Sequence, residues 1–267
     1  MPELPEVEVL KYGLQTLLGE EINQVIFLPS KVVKSDLNLL VGKKITGITR
    51  RGRYLKFVFD QTVVLVLHLG MTGSVRVRSE SDTFILEKHE FFRFKCESGV
   101  QLGFLDYRHF GKVFLESEFI TWESKLGIEP LSGDLTAKYW FNKARGRHLP
   151  LKLFLMDNKI VTGIGNIYAN EILFAARQHP ERSAWTVSLA EWQVIVDKTK
   201  DILNLAIRCG GSSVKDYVNL NGEAGRFQNF LKVYGRRGQL CSACGNELSV
   251  IKQGGRSTFF CGHCQGY

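Results

Sequence analysis

The two ends of this chain carry the residues best suited to chemistry. The N-terminus reads Met1-Pro2-Glu3-Leu4-Pro5-Glu6. Proline in second position is small enough that removal of Met1 is expected. The new terminus would be a secondary amine with a carboxylate beside it, and such an amine can form an imine with a carbonyl-like carbon. The C-terminus reads Cys241-x2-Cys244-x16-Cys261-x2-Cys264. Two such knuckles can place four thiolates tetrahedrally around one zinc ion, and with no open ligand position that zinc is structural, not catalytic. Between the knuckles, Lys252, Gly254, Gly255 and Arg256 are expected on the turn of a β-hairpin. An arginine beside glycines suits phosphate contact, and the same residues also suit a plain solvated turn.

Three further segments carry weaker signals. Gly163-Ile164-Gly165-Asn166 separates two helical patterns. Its glycines allow close backbone approach, and the amides of the following helix can hold a phosphate, with Asn166 either adding a contact or serving as an N-cap. His68-Leu69-Gly70-Met71 follows an apolar strand, where a lone histidine or methionine is more often core than site. Arg108-His109-Phe110 places a cation and an aromatic ring two residues apart, on one face of an extended segment, where they could enter a base stack.

These residues need a scaffold, and the rest of the chain supplies one. At 267 residues two domains are expected. The net charge of +8 favours a polyanionic partner through counterion release. No apolar run approaches the roughly 18 residues that would span a membrane, and the N-terminus has no signal-peptide pattern, so a cytosolic location is expected. Disulfides are rare there, and Cys96 and Cys209 are read as buried free thiols.

Residues 5–18 have helical apolar spacing that stops at Gly19. From about 22 to 116 the chain reads as successive strands, including 54–59, 62–68 and 91–96, which suggests a sandwich or barrel. Residues 126–130 read as a linker. Helices are then expected over 135–145, 150–156 (with Pro150 in the first turn) and 167–176. A last helix, opened by the capping box Ser188-x-x-Glu191, runs to about Arg208. Residues 212–233 read mostly as loop.

Together the motifs closely resemble the formamidopyrimidine-DNA glycosylase family of bacterial base-excision repair enzymes. Pro2-Glu3-Leu4-Pro5-Glu6 is similar to its N-terminal signature, and Met156 through Glu171 to its helix-two-turns-helix. Val233-Tyr234-Gly235-Arg236 leads into the zinc finger as in that family. The resemblance implies an α+β protein. An N-terminal helix plus β-sandwich (1–125) would precede a helical helix-two-turns-helix domain (131–234) and a β-hairpin zinc finger (235–267), with DNA in the cleft between the two main parts. It further implies a monomer acting on damaged double-stranded DNA, cytoplasmic and nucleoid-associated, with one structural zinc on Cys241, Cys244, Cys261 and Cys264.

By the same resemblance Pro2 attacks C1′ of a flipped nucleotide, the base leaves, and the resulting imine permits β- and then δ-elimination. Glu3 would assist ring opening, and Arg256 would contact the phosphate and assist δ-elimination. Met71, Arg108 and Phe110 would fill the gap left by the flipped base. His68, His89, His148, Lys152 and Asn166 fall at or near DNA-contact positions.

The chain departs from the family pattern twice. Arg53 stands where Arg-Arg-x-Lys-Tyr-Leu usually has its lysine. An arginine can hold a phosphate but does not readily carry a proton near neutrality, which puts the elimination step in question. On a strand, Lys56 would face away from Arg53 and not replace it. Near 148 a basic family segment is His148-Leu149-Pro150, where a lysine contact is lost or weakened. The alternatives are an endonuclease VIII-like pyrimidine glycosylase, which Leu4 and the Met71/Arg108/Phe110 set disfavour, and a lesion-binding protein whose lyase activity is impaired by Arg53.

Overall fold

The computed structural model describes residues 2–116, 122–213, 220, 222 and 224–266. Met1, whose removal the sequence leads us to expect, lies outside them, as do parts of the 212–233 loop. By its internal contacts the chain forms two compact units, Met1–Glu123 with Gly210–Arg226, and Ser124–Cys209 with Phe227–Tyr267.

The first unit opens with α1 (Leu4–Leu14), which tightens into a 3-10 turn over Gln15–Leu17 before Gly19 (φ +88°) reverses the chain. Two four-stranded antiparallel sheets follow. One has the order β1 (Ile22–Phe27), β6 (Glu90–Cys96), β7 (Gln101–Asp106), β5 (Gly73–Arg78). The other has the order β2 (Ile45–Arg51), β3 (Tyr54–Phe59), β4 (Val63–His68), β8 (Lys112–Leu115). Alternating burial along β3, from Leu55 through Phe57 to Phe59, puts one face of this sheet into the core. There Phe57 meets Phe94 of the first sheet edge-on, ring centroids 6.5 Å apart, so the sheets form a sandwich as expected.

Central strand β7 is buried at every residue. Its Gly103 leaves room for a buried ion pair: a Cβ there would stand 1.8 Å from Glu90 Oε1, while Glu90 Oε2 takes a 2.6 Å hydrogen bond from Arg93. The late segment 210–226 packs on the first unit through Leu220. A Cβ on Gly13 would come within 2.8 Å of Leu220 Cδ1.

The second unit is helical: α2 (Ala137–Ala144), α3 (Leu151–Leu155), α4 (Asn166–Ala175) and α5 (Leu189–Arg208). Trp192 packs between Trp140 and Phe154 at the centre of its core, both centroids 5.3 Å away. The α5 capping box forms in both directions. Pro150 is the N-cap of α3 and not a first-turn residue, because its ψ of +136° is still extended. Within the expected loop, Phe227–Phe230 closes a 3-10 turn against Tyr168. The chain ends in the hairpin β9 (Ser249–Gln253) and β10 (Arg256–Phe260). Cys96 is fully buried, and burial pushes its thiol up to about 12; Cys209 is only half-buried, against expectation.

Candidate active site and zinc centre

Pro2 and Glu3 lie buried at the head of α1. The Glu3 N–H donates to Glu6 Oε2 at 2.8 Å, and Glu6 Oε1 accepts from the Ser212 N–H at 2.7 Å. A single carboxylate therefore fixes the start of the helix and the segment entering 210–226. The run from Leu4 to Glu8 is buried without a break, where a surface helix would show a polar stripe. Farther along α1, Glu8 accepts from Arg50 Nε at 2.6 Å, and Arg50 Nη1 donates to Gly52 O at 2.9 Å. Despite its burial, Glu8 is held below the ordinary carboxylate range by hydrogen bonds from Lys11 and Arg50. The terminus is thus tied to the β2–β3 turn.

That turn is Gly52-Arg53, between the paired residues Arg51 and Tyr54. Gly52 has φ +57° and Arg53 is not left-handed, the pattern of a II′ hairpin. Arg53 is only 9% exposed. Lys56 is committed elsewhere, donating to Glu116 at 3.1 Å and to Glu123 at 3.0 Å. Across the sheet Tyr54 pairs with His68, their rings 4.6 Å apart. Burial, with the charges of Arg53 and Lys112, pushes the His68 imidazole down to about 4. Its Nδ1 accepts the Gly70 N–H at 3.2 Å, so the neutral ring carries its proton on Nε2 and is a donor there.

Two loops beyond β4 and β7 present Met71, Arg108 and Phe110, the residues expected to fill the gap left by a flipped base. Met71 is 41% and Phe110 51% exposed, and the Arg108 guanidinium lies 5.0 Å from the Phe110 ring centre. Gly70 (φ +61°) makes their closeness possible, since a Cβ there would meet the Phe110 carbonyl carbon at 2.6 Å. The fully buried Asp106 joins the loops, accepting from Thr72 Oγ1 at 2.6 Å, Arg108 N at 3.2 Å and Gly111 N at 2.6 Å. Sequence reasoning missed Asp106; its only signal was an acidic residue at the end of an apolar strand. His89 is half-buried, its ring 4.9 Å from Tyr107.

In the second unit, α3 and α4 are joined by two turns. Ile160 N donates to Asp157 O at 2.9 Å, and Gly163 (φ +92°) takes a conformation that side chains disfavour. Asn166 is the first residue of α4, and Gly165 is the N-cap. The Asn166 Nδ2 donates to Ser257 O at 3.1 Å. His148 is exposed, whereas Lys152 is fully buried against the hairpin. Arg256 is exposed next to the turn Gly254-Gly255, whose φ values of +53° and +76° fit a I′ hairpin. Lys252 sits on β9, paired with Ser257, so it is not on the turn itself.

The four cysteine sulfurs lie within 4.8 Å of one another. Separations are 3.9 Å for Cys241–Cys264 and 3.5 Å for Cys244–Cys261, near the about 3.8 Å edge of a tetrahedron built on ~2.3 Å zinc–sulfur bonds. Amide N–H groups of Ala243 and Cys264 point at the sulfurs of Cys241 and Cys261 at 3.5 and 3.4 Å, an outer shell that suits thiolates. The donor set fits one structural zinc.

Residues 1–113 match the formamidopyrimidine-DNA glycosylase N-terminal domain, residues 126–218 its H2TH domain, and residues 238–266 the zinc finger found in FPG and IleRS. A formamidopyrimidine-DNA glycosylase of Vibrio parahaemolyticus is 40% identical over 99% of this chain and 100% of its own. One from Listeria innocua is also 40% identical, with the same coverage. Among solved structures, wild-type Lactococcus lactis Fpg (MutM) in complex with DNA containing N7-benzyl-Fapy-dG is similar, with a TM-score of 0.90, 34% identity and complete coverage of both chains. The L. lactis enzyme with abasic-site DNA has a TM-score of 0.89 at 35% identity, over 99% of this chain and 100% of that one. With its three successive domains matched and full-length relatives of this similarity, the chain belongs to the formamidopyrimidine-DNA glycosylase family.

Proposed function

We propose that this protein is a base-excision repair DNA glycosylase with abasic-site lyase activity, removing oxidised purines such as 8-oxoguanine and formamidopyrimidines from duplex DNA. The observation that carries the reading is the Pro2-Glu3 pair buried at the head of α1, with the Glu3 N–H held by Glu6. Such a group has little use in a protein that only binds. The flipped nucleotide exposes C1′. The Pro2 nitrogen forms a bond to C1′ as the glycosidic bond breaks, and the base leaves with a proton. Glu3 delivers a proton to the sugar ring oxygen, and the ring opens to an iminium. That cation acidifies C2′, so loss of the C2′ proton expels the 3′ phosphate, and a second elimination expels the 5′ phosphate.

Arg53, His68, His89, Arg108, His148, Asn166 and Arg256 are assigned to the DNA backbone and the lesion's surroundings, with Met71 and Phe110 filling the vacated space. Residues 1–125 would carry the chemistry, 131–234 the helix-two-turns-helix contacts and 235–267 the finger. The protein would work as a monomer in the bacterial cytoplasm, at the nucleoid.

The test is borohydride reduction during turnover on duplexes carrying 8-oxoguanine, formamidopyrimidine or thymine glycol. Purine lesions should trap the enzyme through Pro2, and Pro2→Gly should lower base release at least about a hundredfold. Trapping at a lysine would reject the nucleophile. A preference for thymine glycol would indicate the endonuclease VIII-like alternative, and binding without trapping would make the protein a lesion binder.

A further inference from the structure

Lys152 ends in a charge yet has no exposed surface. Its ammonium donates to Ser257 O at 3.1 Å and to Thr258 Oγ1 at 2.7 Å. Asn166 Nδ2 donates to the same Ser257 oxygen at 3.1 Å, and Asn170 Oδ1 accepts from Phe259 N at 2.7 Å. The three residues that follow Arg256 are thus held, one after another, from α3 and α4. On the other strand Gln253 Nε2 donates to Pro180 O at 3.2 Å. At the turn, a Cβ on Gly254 would reach Leu153 Cδ2 at 3.0 Å.

A buried ammonium is tolerable only while its hydrogen bonds persist, and bonds from a charged donor are the stronger kind. Any drift of β10 would leave this charge without the acceptors that β10 provides. The hairpin therefore has one strongly favoured seat on the helices. An ammonium enclosed in this way is poorly placed to meet a phosphate itself.

We propose that Lys152 is a positioning residue. It sets the distance between Arg256 at the hairpin tip and Asn166 at the start of α4, so that both engage one stretch of phosphate backbone, and it makes no DNA contact of its own. This rests on the reading of Arg256 as a phosphate ligand.

The experiment uses the zinc-loaded full chain and a duplex with a non-cleavable abasic analogue. Affinity is measured against salt for Lys152→Met, Thr258→Val and Arg256→Ala, and for each of the first two combined with Arg256→Ala. Lys152→Met should keep its zinc, while affinity falls about tenfold or more because the tip is misplaced, and its salt slope should fall no further than that of Arg256→Ala. Arg256→Ala should cost far less in the Lys152→Met background than alone. Thr258→Val should show the same coupling more weakly. In the Arg256→Ala background Lys152→Met should leave the slope unchanged; a further reduction of about 0.9 there means that the lysine itself neutralises a phosphate, and overturns the proposal. Strict additivity with Arg256→Ala overturns it as well. If Lys152→Met loses zinc, Thr258→Val decides by the same criterion. If Arg256→Ala alone changes neither affinity nor slope, the phosphate reading of Arg256 fails, and the proposal fails with it.

Discussion

Arg53 and Arg256 both follow a left-handed glycine at a two-residue β-hairpin, yet the two settings are opposite. Arg53 is inside its turn and 9% exposed, flanked by the Tyr54–His68 pair and by a turn tied through Arg50 to α1. Arg256 is the first strand residue after its turn and exposed, and its accuracy comes from the backbone around it, bonded to α3 and α4. One guanidinium is fixed by what encloses the side chain; the other is fixed by what holds the main chain. The first arrangement resists substitution at the residue itself, whereas the second tolerates it but depends on remote supports.

The largest expected contrast comes from the metal. In Cys261→Ser the hairpin should unfold, because metal binding in such modules supplies about 10 kcal/mol or more of folding free energy. Zinc content should fall to near zero, and the Arg256 contribution to DNA binding should go with it. The first unit should stay folded, so amides of β3 and β7 should keep their hydrogen-exchange protection. Loss of protection in both units would remove the distinction.

Substitution at Arg53 comes next. Arg53→Ala should weaken binding and excision together and lower stability by about 1–3 kcal/mol, since a buried group loses its packing and its partners. Arg53→Lys should retain binding and speed the elimination steps, because lysine can carry a proton and arginine cannot. Resolving abasic, β- and δ-products over time measures this. Unchanged product timing in Arg53→Lys would reduce position 53 to a phosphate clamp.

A pH effect follows from His68. The unfolded chain takes up a proton near the ordinary histidine value of 6.5, and the folded imidazole refuses it until about 4. The unfolded state then binds more protons throughout this window, so the first unit loses stability as pH falls from about 6.5 to about 4, with no contribution from this group above it. His68→Gln should flatten that decline in urea titrations. The smallest effect belongs to Gly255→Ala. Nothing lies within 4 Å of the added methyl, so only left-handed strain of about 1 kcal/mol is expected, read as a small shift in melting temperature.

Much of this is legible in the sequence because the signals are local. The knuckle spacing, the Ser188–Glu191 capping box and the apolar periods of α1 and α5 each depend on a few neighbouring residues. What escapes is what depends on partners far along the chain. Lys152 reads as a residue at or near a DNA contact until Ser257 and Thr258, more than a hundred positions away, are seen to enclose it. Pro150 in a first turn is a reasonable expectation from its fixed φ, but the ring leaves ψ free, and here it stays extended. Lys252 suits a turn on spacing, because spacing alone does not say that two glycines suffice to close the hairpin. Residues 212–233 read as loop in the second half, although Glu6 and Gly13 give the part within 210–226 a seat on the first unit.

Asp106 has a kinetic consequence. Because one carboxylate holds both Thr72 and the amides of 108 and 111, the Met71 and Phe110 loops cannot advance or retreat separately. Their conformational freedom was surrendered when the domain folded, and little of it remains to be lost on meeting DNA. If Met71 and Phe110 enter a base stack as proposed, they would do so as one stiff body. Entry would then be governed by how readily the stack opens, and not by how long two independent loops take to find each other.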